Sequence, residues 1–136
     1  MTKAIKATAL PIVLALYLGN VANAGEVTIV AADFQTMDGQ LWSIQVTLQH
    51  TDTGWDHYAD RWRVVDSAGQ VVADRILYHP HVDEQPFTRG LRGVALSAES
   101  NRLYVAAHDN VHGWAKQRLQ IDLSQAVQGR LQVPSE

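Results

Sequence analysis

Period-two alternation of apolar and polar residues runs through the chain from about residue 26. In 41–50, LWSIQVTLQH, the side chains of Trp42, Ile44, Val46 and Leu48 share one face, and Ser43, Gln45, Thr47 and Gln49 share the other. That is the pattern of a strand with one buried face. Residues 61–66 (RWRVVD) repeat it with Trp62 and Val64, and the DSAG turn then leads into 70–78 (QVVADRILY), so this pair reads as a hairpin. Further strands are predicted over 26–32, 90–97, 102–108 and 114–123, with the polar segments SAESN and DNVHG between the last three. No window carries a helical period, although 124–130 (SQAVQGR) has room for one turn. About seven strands joined by turns predict an all-β fold, an antiparallel two-sheet sandwich of the immunoglobulin-like kind, with a small closed barrel as the competitor. Trp62 in the third strand and Tyr104 early in the penultimate one fit that plan, though both are also ordinary strand-core residues.

The N-terminal stretch departs from this pattern. Lys3 and Lys6 precede an apolar run over 7–18, and Ala22-Asn23-Ala24 follows as a small-x-small site. These are the three parts of a secretory leader, with cleavage expected after Ala24. The apolar run is shorter than the ~20 residues of a spanning helix, and Pro11 interrupts it. The expected organisation is a signal peptide over 1–24 and a single β-sandwich domain over 25–136. Its location would be periplasmic or secreted, with no stable membrane span after cleavage. The chain has no cysteine. Disulfides, thiolate metal sites, blue copper and lipid attachment at the cleavage site are therefore excluded, and the domain must rely on its core. The formal charge is −3, and the leader holds two lysines and no acid. Nucleic acid is therefore not the expected partner.

Strand polarity concentrates the candidate chemistry. Antiparallel neighbours alternate in direction, so every second connection lies at the same end. If the 41–50 strand ends at the top, then 51–60, 79–89 and DNVHG are all top connections. All six histidines fall there: His50 and His57, His79 and His81, His108 and His112. His50 continues the apolar face of Trp42 to Leu48. His108 shares parity with Tyr104 and Ala106, and it would meet His50 across the core if that face points inward; Leu103, Val105 and Ala107 are the alternative inner face.

Neutral imidazole is the commonest metal ligand, and nitrogen-rich sites suit zinc, copper or nickel. Pro80 in His79-Pro80-His81 holds an extended backbone that aims both rings alike. Asp56 and Asp109 could ligate or orient a ring. Asp52, Asp56 and Asp60 recur at a spacing of four, but the EF-hand pattern and its terminal Glu are absent. The expected function is thus an exported protein binding copper or zinc through these histidines, in metal carriage, sensing or service as an accessory subunit. A transition metal ion is the expected partner, with a periplasmic protein as a second candidate.

Two alternatives stand beside it. Trp55, Tyr58, Tyr78, Phe87 and Trp114 gather at the same end with Glu84, Arg89 and Arg92, which would suit an adhesion or interaction module gripping a protein or glycan. A small metal-dependent enzyme would need three ligands and an open position. No GxSxG, HExxH, phosphate loop or dinucleotide fingerprint is present, so a non-enzymatic role is favoured. The run from DTGWDHYADRWRVVDSAGQVVADRILYHPHVDEQPFTRG through AAHDNVHGWAKQRLQIDL resembles a group of small exported bacterial β-sandwich-like proteins of uncharacterised function. The resemblance implies an exported sandwich and carries no activity or site residue with it.

Overall fold

The computed structural model describes residues 25–38, 40–97 and 101–136. The expected leader over 1–24 and most of the SAESN turn lie outside the described residues. Among the described residues nine strands form in chain order: β1 (Thr28–Thr36), β2 (Leu41–Gln49), β3 (Ala59–Asp66), β4 (Val71–Ile76), β5 (Phe87–Ala95), β6 (Arg102–Asp109), β7 (Gly113–Trp114), β8 (Leu119–Asp122) and β9 (Arg130–Pro134). A 3-10 turn, Leu123–Gln125, follows β8, capped by the Asp122 side chain accepting from the Ser124 amide. No helix among the described residues is long and apolar enough to cross a membrane.

The strands make two antiparallel sheets, one in the order β5-β2-β1-β9 and one in the order β4-β3-β6-β7, with β8 also on β6. The chain spends two strands in the first sheet and two in the second. It then returns with β5 to the flank of β2 and with β6 to the flank of β3. This exchange of strands between facing sheets is the immunoglobulin-like sandwich that the alternation predicted.

The core follows from the same parity. Ile44, Val46 and Leu48 of β2 face Trp62 and Val64 of β3 and Leu103, Val105 and Ala107 of β6, all fully buried. Tyr104 is only half-buried, so the inner face of β6 is the odd-numbered one. Burying the Trp62 ring and its aliphatic neighbours is the main source of stability, at roughly 25 cal/mol per Å² of apolar surface removed from water.

Three departures from the expected elements have local causes. β1 runs on through Asp33-Phe34-Gln35-Thr36, because a register shift between Ile29 and Ala31 lets pairing with β2 continue. The predicted strand at 114–123 is interrupted between β7 and β8, and both pieces pair with β6. β9 was not expected: its alternation of Leu131 and Val133 is short and ends at Pro134, and pairing with β1 holds it in place.

Candidate metal centre

The sandwich brings the six histidines to one end but sorts them by face. β2 ends at this end, and β3 starts there. β6 finishes there at Asp109, which pairs in register with Ala59. β1 begins there, so Gly25, just before it, lies at the same end. Asp109 has the inner parity of Leu103, Val105 and Ala107, and His50 has the inner parity of β2. The core therefore opens onto a buried acid and a buried imidazole.

Asp109 is the hub. It is completely buried. Its Oδ1 accepts from the amides of Val111 at 2.9 Å and His112 at 2.7 Å, and it lies 3.1 Å from both His57 Nε2 and His112 Nδ1. The two amide bonds fold DNVHG back over the strand end in an Asx-type turn, and Gly113, at φ +79°, completes the reversal. The other oxygen, Oδ2, is buried and has no partner among the described residues. Burial pushes this carboxyl up. The opposing pull of the His112 and Val111 amides and the His112 ring is larger in sum and leaves it below its ordinary value.

Three imidazoles stand in a row over this acid. The His50 and His57 rings meet edge to face at 4.7 Å between centroids, and His57 and His112 are 4.9 Å apart. His50, His57 and Asp109 each offer one ligand atom, all within 4.8 Å of one another, and this group could hold a metal ion. The His50 side chain is 1% exposed, His57 22% and His112 37%, so solvent reaches the group from the His57 and His112 side.

The His50 ring is fixed at both ends. Nδ1 lies 2.5 Å from Asp52 Oδ1, and Nε2 lies 2.7 Å from the Gly25 carbonyl oxygen. Asp52 is itself buried and also accepts from the Ala59 amide at 2.9 Å and the His81 amide at 2.7 Å. One carboxylate thus ties β3, the β4–β5 connection and the His50 ring together. A carboxylate on the far nitrogen is the usual way to orient a ligating imidazole. Gly25 closes the other side. It has φ +100°, and a Cβ there would collide with His112 Cε1, so only glycine fits.

The other candidates point elsewhere. The ring of His81 stacks on Phe87 at 4.0 Å, and its Nε2 accepts from Arg89 at 2.9 Å. A guanidinium only donates, so the His81 proton sits on Nδ1, which is buried without a partner among the described residues. Burial, then Arg89 and His79, lower the His81 pKa against the smaller opposing pull of Glu84 and Asp52. His79 is exposed, 4.6 Å from the His81 ring. Arg89 forms a two-pronged ion pair with Glu84, at 3.1 Å on each prong, and its hydrogen bond lowers the Glu84 carboxyl.

His108 has the outer parity of β6. It bonds Asp60 at 2.5 Å and meets the edge of Trp114, whose face is covered by Arg63 at 3.7 Å. His108 therefore does not meet His50, because the core lies on the odd-numbered side of β6. Trp55 and Asp56 are exposed on the 51–58 loop. The Trp55 ring packs edge-on against Tyr58 at 5.5 Å, and the Trp55 carbonyl is held by the Asn110 side chain.

Sequence reasoning named Asp109 as a candidate without its central place, and passed over Gly25 and the orienting role of Asp52. Gly25 was readable from the polarity of β1, whose start must lie at the top. The central place of Asp109 was readable from its odd number, once the inner face of β6 is known.

No family model matches the chain, and no solved structure matches it. Among curated proteins it is similar to one of Halomicrobium mukohataei described as "Putative lipoprotein", with 34% identity over 97 residues, 71% of this chain and 47% of that protein. The chain thus spans about half the length of that relative.

Proposed function

We propose that this is an exported metal-binding β-sandwich whose ion, copper or zinc, is held by His50, His57 and Asp109, with His112 at the solvent side. The observation that carries the reading is the Asp109 carboxylate: fully buried, crowded by donors on one oxygen, without a partner among the described residues on the other, and flanked by imidazoles. A buried carboxylate oxygen without a partner costs about 1–3 kcal/mol or more, and a cation would relieve that cost. The mixed nitrogen and oxygen donors suit copper(II) or zinc rather than calcium or magnesium. The fixing of His50 Nδ1 by Asp52 supports a ligand role for Nε2, with the ion replacing the proton that Nε2 shares with the Gly25 carbonyl.

Export is supported by the leader pattern over 1–24 and by the description of the relative. This chain has no cysteine to carry a lipid, so acylation at that position does not carry over from the relative. Metal carriage, sensing or service as an accessory subunit are the roles that suit a small domain with one enclosed ion.

Isothermal titration of the exported protein with copper(II) and zinc(II) tests the reading. One ion per chain is expected, with uptake lost in the His50→Ala, His57→Ala double variant. Equal uptake by the double variant would refute it. A second reading, an interaction module, draws on the bare Trp55 and Tyr78 rings, 65% and 73% exposed at the same end. Partner binding that survives a chelator and fails in Trp55→Ala would favour it.

A further inference from the structure

We propose that removal of the leader makes Gly25 a metal ligand, its new α-amine and its carbonyl oxygen closing a five-membered chelate ring on the ion at His50, His57 and Asp109. This deepens the metal-binding reading and rests on it. The first observation is the contact between His50 Nε2 and the Gly25 carbonyl oxygen, 2.7 Å. A carbonyl oxygen only accepts, so in the metal-free protein Nε2–H donates to it, and the ring nitrogen and the carbonyl oxygen are held side by side. An ion taking the place of that proton would be bound by both atoms, with Nδ1 still facing the Asp52 carboxylate. Two donors each roughly 2 Å from one ion, at about a right angle, lie close to that far apart.

The second observation is the fit of Gly25 itself. Any side chain at this position would strike the His112 ring, so the residue can contribute only backbone donors. It lies between His50 and His112, the two ends of the imidazole row. The third is the expected cut, which falls on the bond between Ala24 and Gly25.

The chemistry balances simply. A leader peptidase hydrolyses the Ala24–Gly25 amide with one water, leaving a carboxylate on Ala24 and an ammonium on Gly25. Binding the ion releases one proton from that ammonium and the His50 Nε2 proton to solvent, and no electron moves. In the uncleaved chain the same nitrogen is an amide whose lone pair is delocalised into its carbonyl, so it is not a donor. Full coordination is then reached only after export. The added amine tips the donor set toward copper(II), which favours tetragonal nitrogen and oxygen ligation.

The test compares the exported product with one carrying an extra alanine inserted before Gly25, each N-terminus checked by mass spectrometry. Copper(II) affinity should fall about tenfold or more in the extended chain, equivalent to about 1.4 kcal/mol, with the metal-free thermal midpoint unchanged. Electron paramagnetic resonance of the native product labelled with 15N-glycine should show altered nitrogen coupling, a readout that needs no variant. Equal affinities with a spectrum unmoved by the label would overturn the chelate while leaving the histidine site standing. So would an exported N-terminus other than Gly25. Absence of copper binding in both chains would overturn the site and the chelate together.

Discussion

His50 and His108 sit at the same end of facing strands, and each has a carboxylate 2.5 Å from Nδ1. Their surroundings differ completely. The His50 and Asp52 side chains are 1% and 0% exposed, whereas His108 and Asp60 are 27% and 26% exposed. Asp52 also receives two backbone amides and joins three segments. Asp60 sits at the register shift between Ala59 and Arg61, at the edge of solvent. Equal contact distances therefore do not carry equal weight. Water screens the outer pair, while the inner pair has lost its hydration and must be satisfied internally.

The largest expected effect tests the inner pair. Asp52→Ala strands the His50 ring and the amides of Ala59 and His81, and should cost about 2–4 kcal/mol in urea unfolding of the metal-free protein. Next is ligation: His57→Ala should weaken copper or zinc binding by about tenfold to a hundredfold, while His79→Ala and His108→Ala leave it nearly unchanged by the same titration. If His79 or His108 proved equally important, the division between inner and outer histidines would fail. Third, Asp60→Ala should cost less than about 1 kcal/mol. A loss matching that of Asp52→Ala would mean that burial does not separate the two pairs.

The smallest effect concerns acid. The folded protein holds His81 below its ordinary value, through burial, Arg89 and His79, with Glu84 and Asp52 opposing. As pH falls below about 6.5, the unfolded chain takes up a proton that the folded chain refuses, so stability declines from there down to the lowered folded value. His81→Gln should flatten that slope in thermal melts between pH 7 and 5. An unchanged slope would assign the acid sensitivity to other groups.

Much of the fold could be read from alternation alone, because a period of two with one apolar face admits few other structures. The common end of the six histidines followed from strand direction, which a chain of hairpins and crossovers propagates without side-chain detail. Whether the rings converge depends on parity, and parity is lost wherever a strand carries a bulge. Between Ala59 and Trp62 the register shifts, so both residues face inward although one is odd-numbered and the other even. On β6 the choice between Tyr104 and Leu103 as the inward residue decided whether His108 or Asp109 joined His50, and composition offered no preference between two apolar faces. β9 was hidden because five residues ending in proline carry little periodic signal, and a partner strand supplies what the segment lacks alone.

That late strand has a consequence for how the sandwich's margin meets other chains. β9 covers the flank of β1 that would otherwise be bare, its Arg130 clamps Asp33 through two nitrogens, and Pro134 at its tip has no amide hydrogen to give. A margin this short, charged and proline-ended offers a poor template for another chain's strand. For a disulfide-free sandwich, that guards against fibrous self-association.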